Sequence, residues 1–165
     1  MIRHRIYARH GGVKAGERLS ISVIKRCVLE ALRSEGVDMA CEVSVLITDD
    51  RGICELNHEF RGVDEPTDVL SFPLYEFSPP GWGSPGAGGV DPESGLLPLG
   101  EIVISAGRAR RQAEELGNSL DEETAYLTIH SVLHLLGYDH VDEAEGKKRM
   151  RGREKAILRA LGIRE

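Results

Sequence analysis

The stretch SLDEETAYLTIHSVLHLLGYDH, from Ser119 to His140, leaves this chain the least freedom. Ser119 with Glu122 three residues on is a capping-box pattern, in which two side chains satisfy two otherwise orphaned backbone N–H groups. Ala125, Leu127 and Val132 then keep the segment apolar to about Leu136. Gly137 falls where a residue of positive φ reverses the chain. The pattern predicts a mostly apolar helix over 119–136 that carries His130 and His134. Residues four apart lie on one helix face, one turn from each other. Beyond the glycine, Tyr138 and Asp139 can return His140 toward the same point. Three neutral imidazoles hold a divalent cation and leave a position open, whereas a closed structural site takes a fourth protein ligand. A single histidine on such a face is usually a hydrogen-bonded core residue. Here half of the six histidines of the chain fall within eleven residues.

The spacing coincides with the zinc-protease signature HExxHxxGxxH in its histidines and glycine. It departs at position 131, which is Ser131 instead of the glutamate that acts as general base in those enzymes. The metal cage is therefore legible and the proteolytic base is not.

The other elements alternate between helix and strand. Ser20 caps a run of Ile21, Ile24, Val28, Ala31 and Leu32 that stops at Gly36, predicting a helix over 20–35. EVSVLIT (42–48) alternates as a strand does. Asp49 or Asp50 opens a short helix through Ile53, Leu56 and Phe60, closed by Gly62. DVLSFP (68–73) and LGEIVIS (99–105) are further strands, HRIYAR near the start a fourth, and Pro73 ends its strand or places it at an edge. A helix over 106–116 stops at Gly117. Asp142 with Glu145 opens a last helix ending near Leu161 and Gly162. The expected class is α+β: a small mixed sheet of about four strands packed with about five helices, in one domain spanning 1–165. Between 78 and 98 the sequence turns to Gly, Pro and Ser without periodicity, as in a mobile surface loop or a lid. Trp82 within it is a local anchor or a contact to a base.

Composition narrows the function. A net charge of −6 excludes a protein that coats nucleic acid over its whole surface, but leaves room for a local basic groove. Arg3, Arg5 and Arg9 form one basic cluster, and Arg108, Arg110 and Arg111 another. Cys27, Cys41 and Cys54 are odd in number and lack CxxC spacing, which suits reduced, buried thiols. No run of 18 apolar residues exists to span a membrane, and the basic N-terminus lacks the apolar core of a signal peptide. The expected location is the cytoplasm.

HSVLHLLGYDH closely resembles the signature of the YbeY family, also called the rRNA maturation RNase family. LNHEFRGVDEPTDVLSFP (56–73) resembles its second block and LGEIVIS (99–105) its third. Met150, Glu154, Ile157 and Leu158 follow its MxxxExxIL pattern, and the blocks extend over the last two-thirds of the chain. The resemblance implies a metal-dependent endoribonuclease acting on single-stranded RNA, with one Zn2+ per chain on His130, His134 and His140. It implies bacterial ribosomal RNA maturation, notably at the small-subunit 3′ end, ribosome quality control, and association with the ribosome or its small subunit. Other protein partners stay open. Ser131 stands where the family favours Gly, and Glu101 where it favours Asp. The 78–98 segment is longer than the usual connection.

Hydrolysis of a phosphodiester needs a nucleophile, charge neutralisation in the transition state, and a proton for the leaving oxygen. Arg61 is the candidate for the charge, since a guanidinium grips phosphate oxygens as a fork and stays protonated. Its alternative is a cation favoured by a helix C-terminus. The resemblance selects the functional role, and with it Arg61 and His130 are the catalytic candidates. Asp139 orients an imidazole or stabilises the turn. Thr67 and Asp68 line a cleft or form a turn, Ser71 and Ser105 are weaker candidates, and no general base stands out. Arg61 with the arginines at 108–111 is the expected source of a positive groove. Two competing readings remain at this level. One is a zinc peptidase or other metallohydrolase. The other is a non-catalytic ribosome assembly factor with a structural metal.

Overall fold

A computed structural model of the chain describes residues 2–77, 79–83, 89–138 and 144–163. The chain order is β1 (Arg5–His10), α1 (Ile21–Ser34), β2 (Cys41–Thr48), α2 (Asp50–Arg61), β3 (Val69–Pro73), β4 (Leu97–Ser105), α3 (Ala106–Leu116), α4 (Leu120–Leu135) and α5 (Ala144–Ala160), with a short 3₁₀ turn at Ala15–Glu17. Four strands form one mixed sheet in the order β1-β2-β4-β3. β1, β2 and β4 run parallel, and β3 pairs antiparallel with β4 at the edge. The expected α+β class holds, with four strands and five helices among the described residues.

Side-chain caps set the helix boundaries, those at Ser20, Asp49 and Ser119 foreseen from sequence and the one at Ser105 not. Ser20 accepts the Val23 N–H, Asp49 the Gly52 N–H and Ser105 the Arg108 N–H. Ser119 and Glu122 complete both bonds of the capping box. The left-handed Gly62 and Gly117 close α2 and α3. The proposed cap at Asp142 lies outside the described residues.

One face of the sheet buries Val43, Val45, Ile47, Ile102 and Ile104 under α1 and α4. α4 is the central helix: ten of its sixteen residues are buried, and it touches α1, α3, α5 and the sheet. Its buried hydroxyls are satisfied within the helix, Thr124 by Leu120 O, Thr128 by Thr124 O and Ser131 by Leu127 O. Unpaired, each would cost roughly 1–3 kcal/mol. α2 covers only part of the opposite face, where Ile53 and Leu56 meet Leu70 and Val103.

A bulge breaks the alternation of β4. Glu42 pairs with Pro98 but Val43 with Gly100, so Leu99 is the extra residue. Gly100 is required there: its φ is 152°, and a Cβ would sit 2.4 Å from Phe72 O. The inserted residue re-aims the strand. Leu97 and Leu99 face the core before it, Ile102 and Ile104 after it, and Glu101 is turned to the open face.

The 78–98 segment is anchored at its described ends. Gly81 N–H bonds to Leu136 O, and Trp82 Nε1–H donates to Asp38 Oδ1 at 2.7 Å with its ring against Phe77. Trp82 is thus the local anchor among its two readings. Leu97 and Pro98 belong to β4, not to the loop. Pro98 fits a strand because it sits at the bulge.

Candidate functional site

α4 brings His130 and His134 to the floor of a cleft of about 720 Å³. Val69, Ser71 and Pro73, alternate residues of β3, form one wall. Arg61, the last residue of α2, reaches the same cleft, and Thr67 and Asp68 come from the link between α2 and β3. Tyr126, one turn before His130, and the Gly137–Tyr138 turn complete it.

Defined contacts hold the two imidazoles. The His130 and His134 Nε2 atoms stand 3.0 Å apart, with the rings nearly perpendicular at 82°. Two nitrogens on a tetrahedral zinc at ~2.0–2.1 Å lie roughly 3.3 Å apart, so a small adjustment admits the ion. His130 Nδ1 faces Glu154 Oε1 at 2.9 Å. Glu154 comes from α5 and is almost fully buried. A carboxylate on Nδ1 fixes that nitrogen as the proton donor and leaves the Nε2 lone pair outward. The third expected ligand, His140, lies outside the described residues, as does Asp139. Among the described residues no group of three potential ligands converges.

Tyr126 lays its ring 5.7 Å from that of His130. Burial, then Glu154, Asp68 and Glu123, push its hydroxyl up to about 12, so it keeps its proton at neutral pH and can donate. Asp68 fulfils both of its sequence readings. Its Oδ1 accepts Val69 N–H at 2.8 Å and Thr67 Oγ1 at 3.3 Å, forming the turn, and it still lines the cleft. Behind it Glu123 is buried, and burial first, then Asp68, raises its carboxyl above the usual range.

Ser131 is fully buried with its hydroxyl committed to Leu127 O, so it supplies no base at the position where a zinc protease has glutamate. Ser71 lines the cleft, but Ser105 does not: it is buried at the start of α3 and donates to Asp50 Oδ1 at 2.6 Å. The arginines at 108–111 also fall elsewhere, which corrects the expected groove. Arg111 pairs with Asp50 at 2.6 Å and lines a separate cavity with Arg110. From α3 it is Gln112 that meets the cleft wall, its Nε2 donating to Asp68 Oδ2 at 3.4 Å. Cys27 and Cys41 are buried thiols, with pKa values pushed up to about 12 by burial, and all three cysteines are free.

Sequence reasoning gave Glu154 no role. The available signal was a carboxylate among Met150, Ile157 and Leu158, all of them buried on one face of α5. Tyr126 was missed as well, although its spacing of four from His130 places it on the same helix face.

Fold and site together define a one-domain α+β protein whose central helix offers an imidazole pair to a cleft that also holds an arginine. The model of the family described as Endoribonuclease YbeY matches residues 9–162. A Moorella thermoacetica protein named Endoribonuclease YbeY is 46% identical over 151 residues, 90% of each chain. A Pelotomaculum thermopropionicum protein of the same name is 46% identical over 153 residues, 93% of each. The solution structure of TM1509 from Thermotoga maritima is similar at a TM-score of 0.59 and 30% identity, covering 93% of this chain and 86% of that one. The chain belongs to the YbeY family. No helix among the described residues is long and apolar enough to cross a membrane.

Proposed function

We propose that this chain is a zinc-dependent endoribonuclease that cleaves single-stranded RNA, matures ribosomal RNA at the small-subunit 3′ end, and serves ribosome quality control in the cytoplasm. The observation that carries the reading is the convergence of His130 and His134 Nε2 at 3.0 Å in a cleft that Arg61 also lines. The family's name and the fold support the nuclease class, and the ribosome is the partner that class of substrate brings.

His130, His134 and, on its spacing, His140 would hold the cation, which supplies Lewis-acid charge neutralisation and an activated water when bound. Glu154 orients His130. Arg61 binds non-bridging oxygens of the scissile phosphate and stabilises the charge that grows on them. Tyr126 keeps its proton and can hydrogen-bond an oxygen of the strand. Asp68, an acceptor on the cleft wall, can take a proton from a nucleophile or a 2′-hydroxyl that approaches it.

The test is elemental analysis of the purified wild type and His134→Ala, followed by cleavage of a single-stranded RNA. About one zinc per chain in the wild type, near none in the variant, and cleavage lost in His130→Ala and Arg61→Ala with folding retained are the expected results. Metal that persists in the variants, or a wild type that holds zinc and cleaves no RNA, would leave the assembly-factor reading in its place.

A further inference from the structure

We propose that the open face of the sheet is a base-recognition subsite, in which Glu101 reads a guanine of the RNA strand whose backbone passes through the cleft. The inference rests on the nuclease reading above and adds a determinant of substrate choice to it.

A second cavity of about 470 Å³ lies on the sheet face that α2 leaves uncovered. Pockets of roughly 300–1,000 Å³ hold small ligands. The strand register aligns one row of side chains across its floor: Tyr7 on β1, Ser44 on β2, Glu101 on β4 and Phe72 on β3. Phe60 rises beside the row, its ring edge-on to Phe72 at 5.4 Å. Tyr7 and Phe60 are both more than half exposed. Aromatic rings left open on a sheet face are platforms on which unpaired bases stack.

Glu101 gives the row its selectivity. The bulge at Leu99 turns it onto this face, where it is exposed and its carboxylate has no hydrogen-bond or ion-pair partner among the described residues. A carboxylate only accepts hydrogen bonds, and its two oxygens match two parallel donors. Guanine offers such a pair on its Watson–Crick edge, N1–H and the 2-amino group. Adenine and cytosine set an acceptor nitrogen beside their amino group, which a carboxylate repels, and uracil offers a single N–H between two carbonyls. Arg9 borders the cavity and Arg5 lies over the Tyr7 ring at 5.9 Å, so cations for flanking phosphates stand beside the carboxylate.

The face and the cleft lie on the two sides of the edge strand β3, so a strand that rounds this edge reaches both, which favours it over a free nucleotide or a peptide. Phe60 belongs to this cavity and Arg61, the next residue, to the cleft. On β3, Phe72 faces the cavity while Ser71 and Pro73 face the cleft. β3, the strand that divides the two, is at the sheet edge.

The test is fluorescence anisotropy with 2′-O-methyl octamers of uridine that carry one guanine, one adenine or one inosine. The matching RNA octamers are cleaved in parallel. The wild type is expected to bind the guanine strand about tenfold more tightly than the adenine strand, as a good bidentate pair discriminates, with inosine between them. Glu101→Ala is expected to bring that ratio to about one while Glu101→Asp keeps most of it, and Tyr7→Ala or Phe72→Ala weakens the guanine strand. Circular dichroism verifies the fold of each variant. A ratio unchanged in Glu101→Ala overturns the proposal, as does a groove that takes up a peptide and no oligonucleotide. Guanine selectivity lost in Glu101→Ala with no cleavage by the wild type removes the nuclease reading and keeps the subsite. Cleavage with unaltered selectivity in Glu101→Ala does the reverse.

Discussion

Glu154 on α5 accepts from His130 on α4 across 2.9 Å, and both groups are largely buried. The two residues are 24 apart in sequence, so only the docking of α5 on α4 creates the contact. It makes the last helix of the chain part of the imidazole site. An acceptor on the far nitrogen fixes the tautomer of a ligating histidine and raises its basicity.

Glu154→Gln keeps the side-chain shape and removes the charge. Its zinc affinity should fall by roughly 10–100-fold, the usual effect of losing such a partner. Competition with a chromogenic chelator measures it, and circular dichroism separates it from unfolding. An affinity equal to that of the wild type would show that the contact only ties α5 to α4.

Arg61 is exposed at the end of α2, so its removal should leave stability within about 0.5 kcal/mol of the wild type. Cleavage should nevertheless fall by roughly 10²–10³-fold in Arg61→Ala, the scale expected for a lost donor to transition-state charge. Arg61→Lys should recover little, because an ammonium is a point charge without the planar fork. Thermal melts and single-turnover cleavage rates read the two effects separately. Full activity in Arg61→Ala would return this residue to its other reading, a cation at a helix C-terminus.

Local signals made much of this fold legible. Ser119, Glu122, Gly117 and Gly62 fixed helix ends because a cap depends on residues a few positions apart. What the sequence hid is non-local. Nothing in LGEIVIS announces that β4 lies between β2 and β3, or that Leu99 is an extra residue. A strict alternation from Leu97 would in fact have buried Glu101. Pro98 hid the true start of β4 inside a Gly/Pro-rich run. The His130–His134 pair was readable because it is a helix repeat, whereas Glu154 meets it only through tertiary packing. The arginines at 108–111 misled for the same reason: a cluster in sequence carries no direction until the helix is placed.

Two histidines tie β1 to its surroundings, and both need to be neutral. His4 Nδ1 accepts the Cys41 N–H at 3.0 Å and His10 Nε2 accepts the Leu19 N–H at 3.1 Å. Burial lowers the pKa of each below the ordinary imidazole value, and Arg18 adds to the shift at His10. The unfolded chain therefore binds more protons just below the ordinary value of 6.5, and stability rises with pH there. The contribution is complete above 6.5 and is lost as pH falls through the lowered values. Urea unfolding of the wild type and of a His4→Gln/His10→Gln double variant, between pH 7.5 and about 5, should show a steeper loss in the wild type. Parallel curves would sink the assignment.

Gly137 follows the C-cap of α4 and turns the chain there. Its φ is 92°, and its N–H bonds to His134 O while the Tyr138 N–H bonds to Leu133 O. A Cβ would lie 2.6 Å from Phe77 O and 2.9 Å from Phe77 Cβ. Two penalties thus coincide, a backbone conformation that side chains avoid and a collision with backbone. Tyr138, next in the chain, donates to Glu35 at 2.6 Å, and Arg153 of α5 donates to the same carboxylate, so a shift at this turn is transmitted to α1 and α5. Gly117 separates the two penalties, since its φ is 70° and a Cβ there meets nothing within 4 Å. Gly117→Ala should cost about 1–2 kcal/mol from conformation alone. Gly137→Ala should cost at least ~1 kcal/mol more, since forcing atoms into packed space costs typically 1–3 kcal/mol, and should weaken zinc binding, which Gly117→Ala leaves intact. Denaturant unfolding and chelator competition on the two variants test this. Equal losses of stability would mean that Phe77 moves aside freely and that the turn does not hold the site.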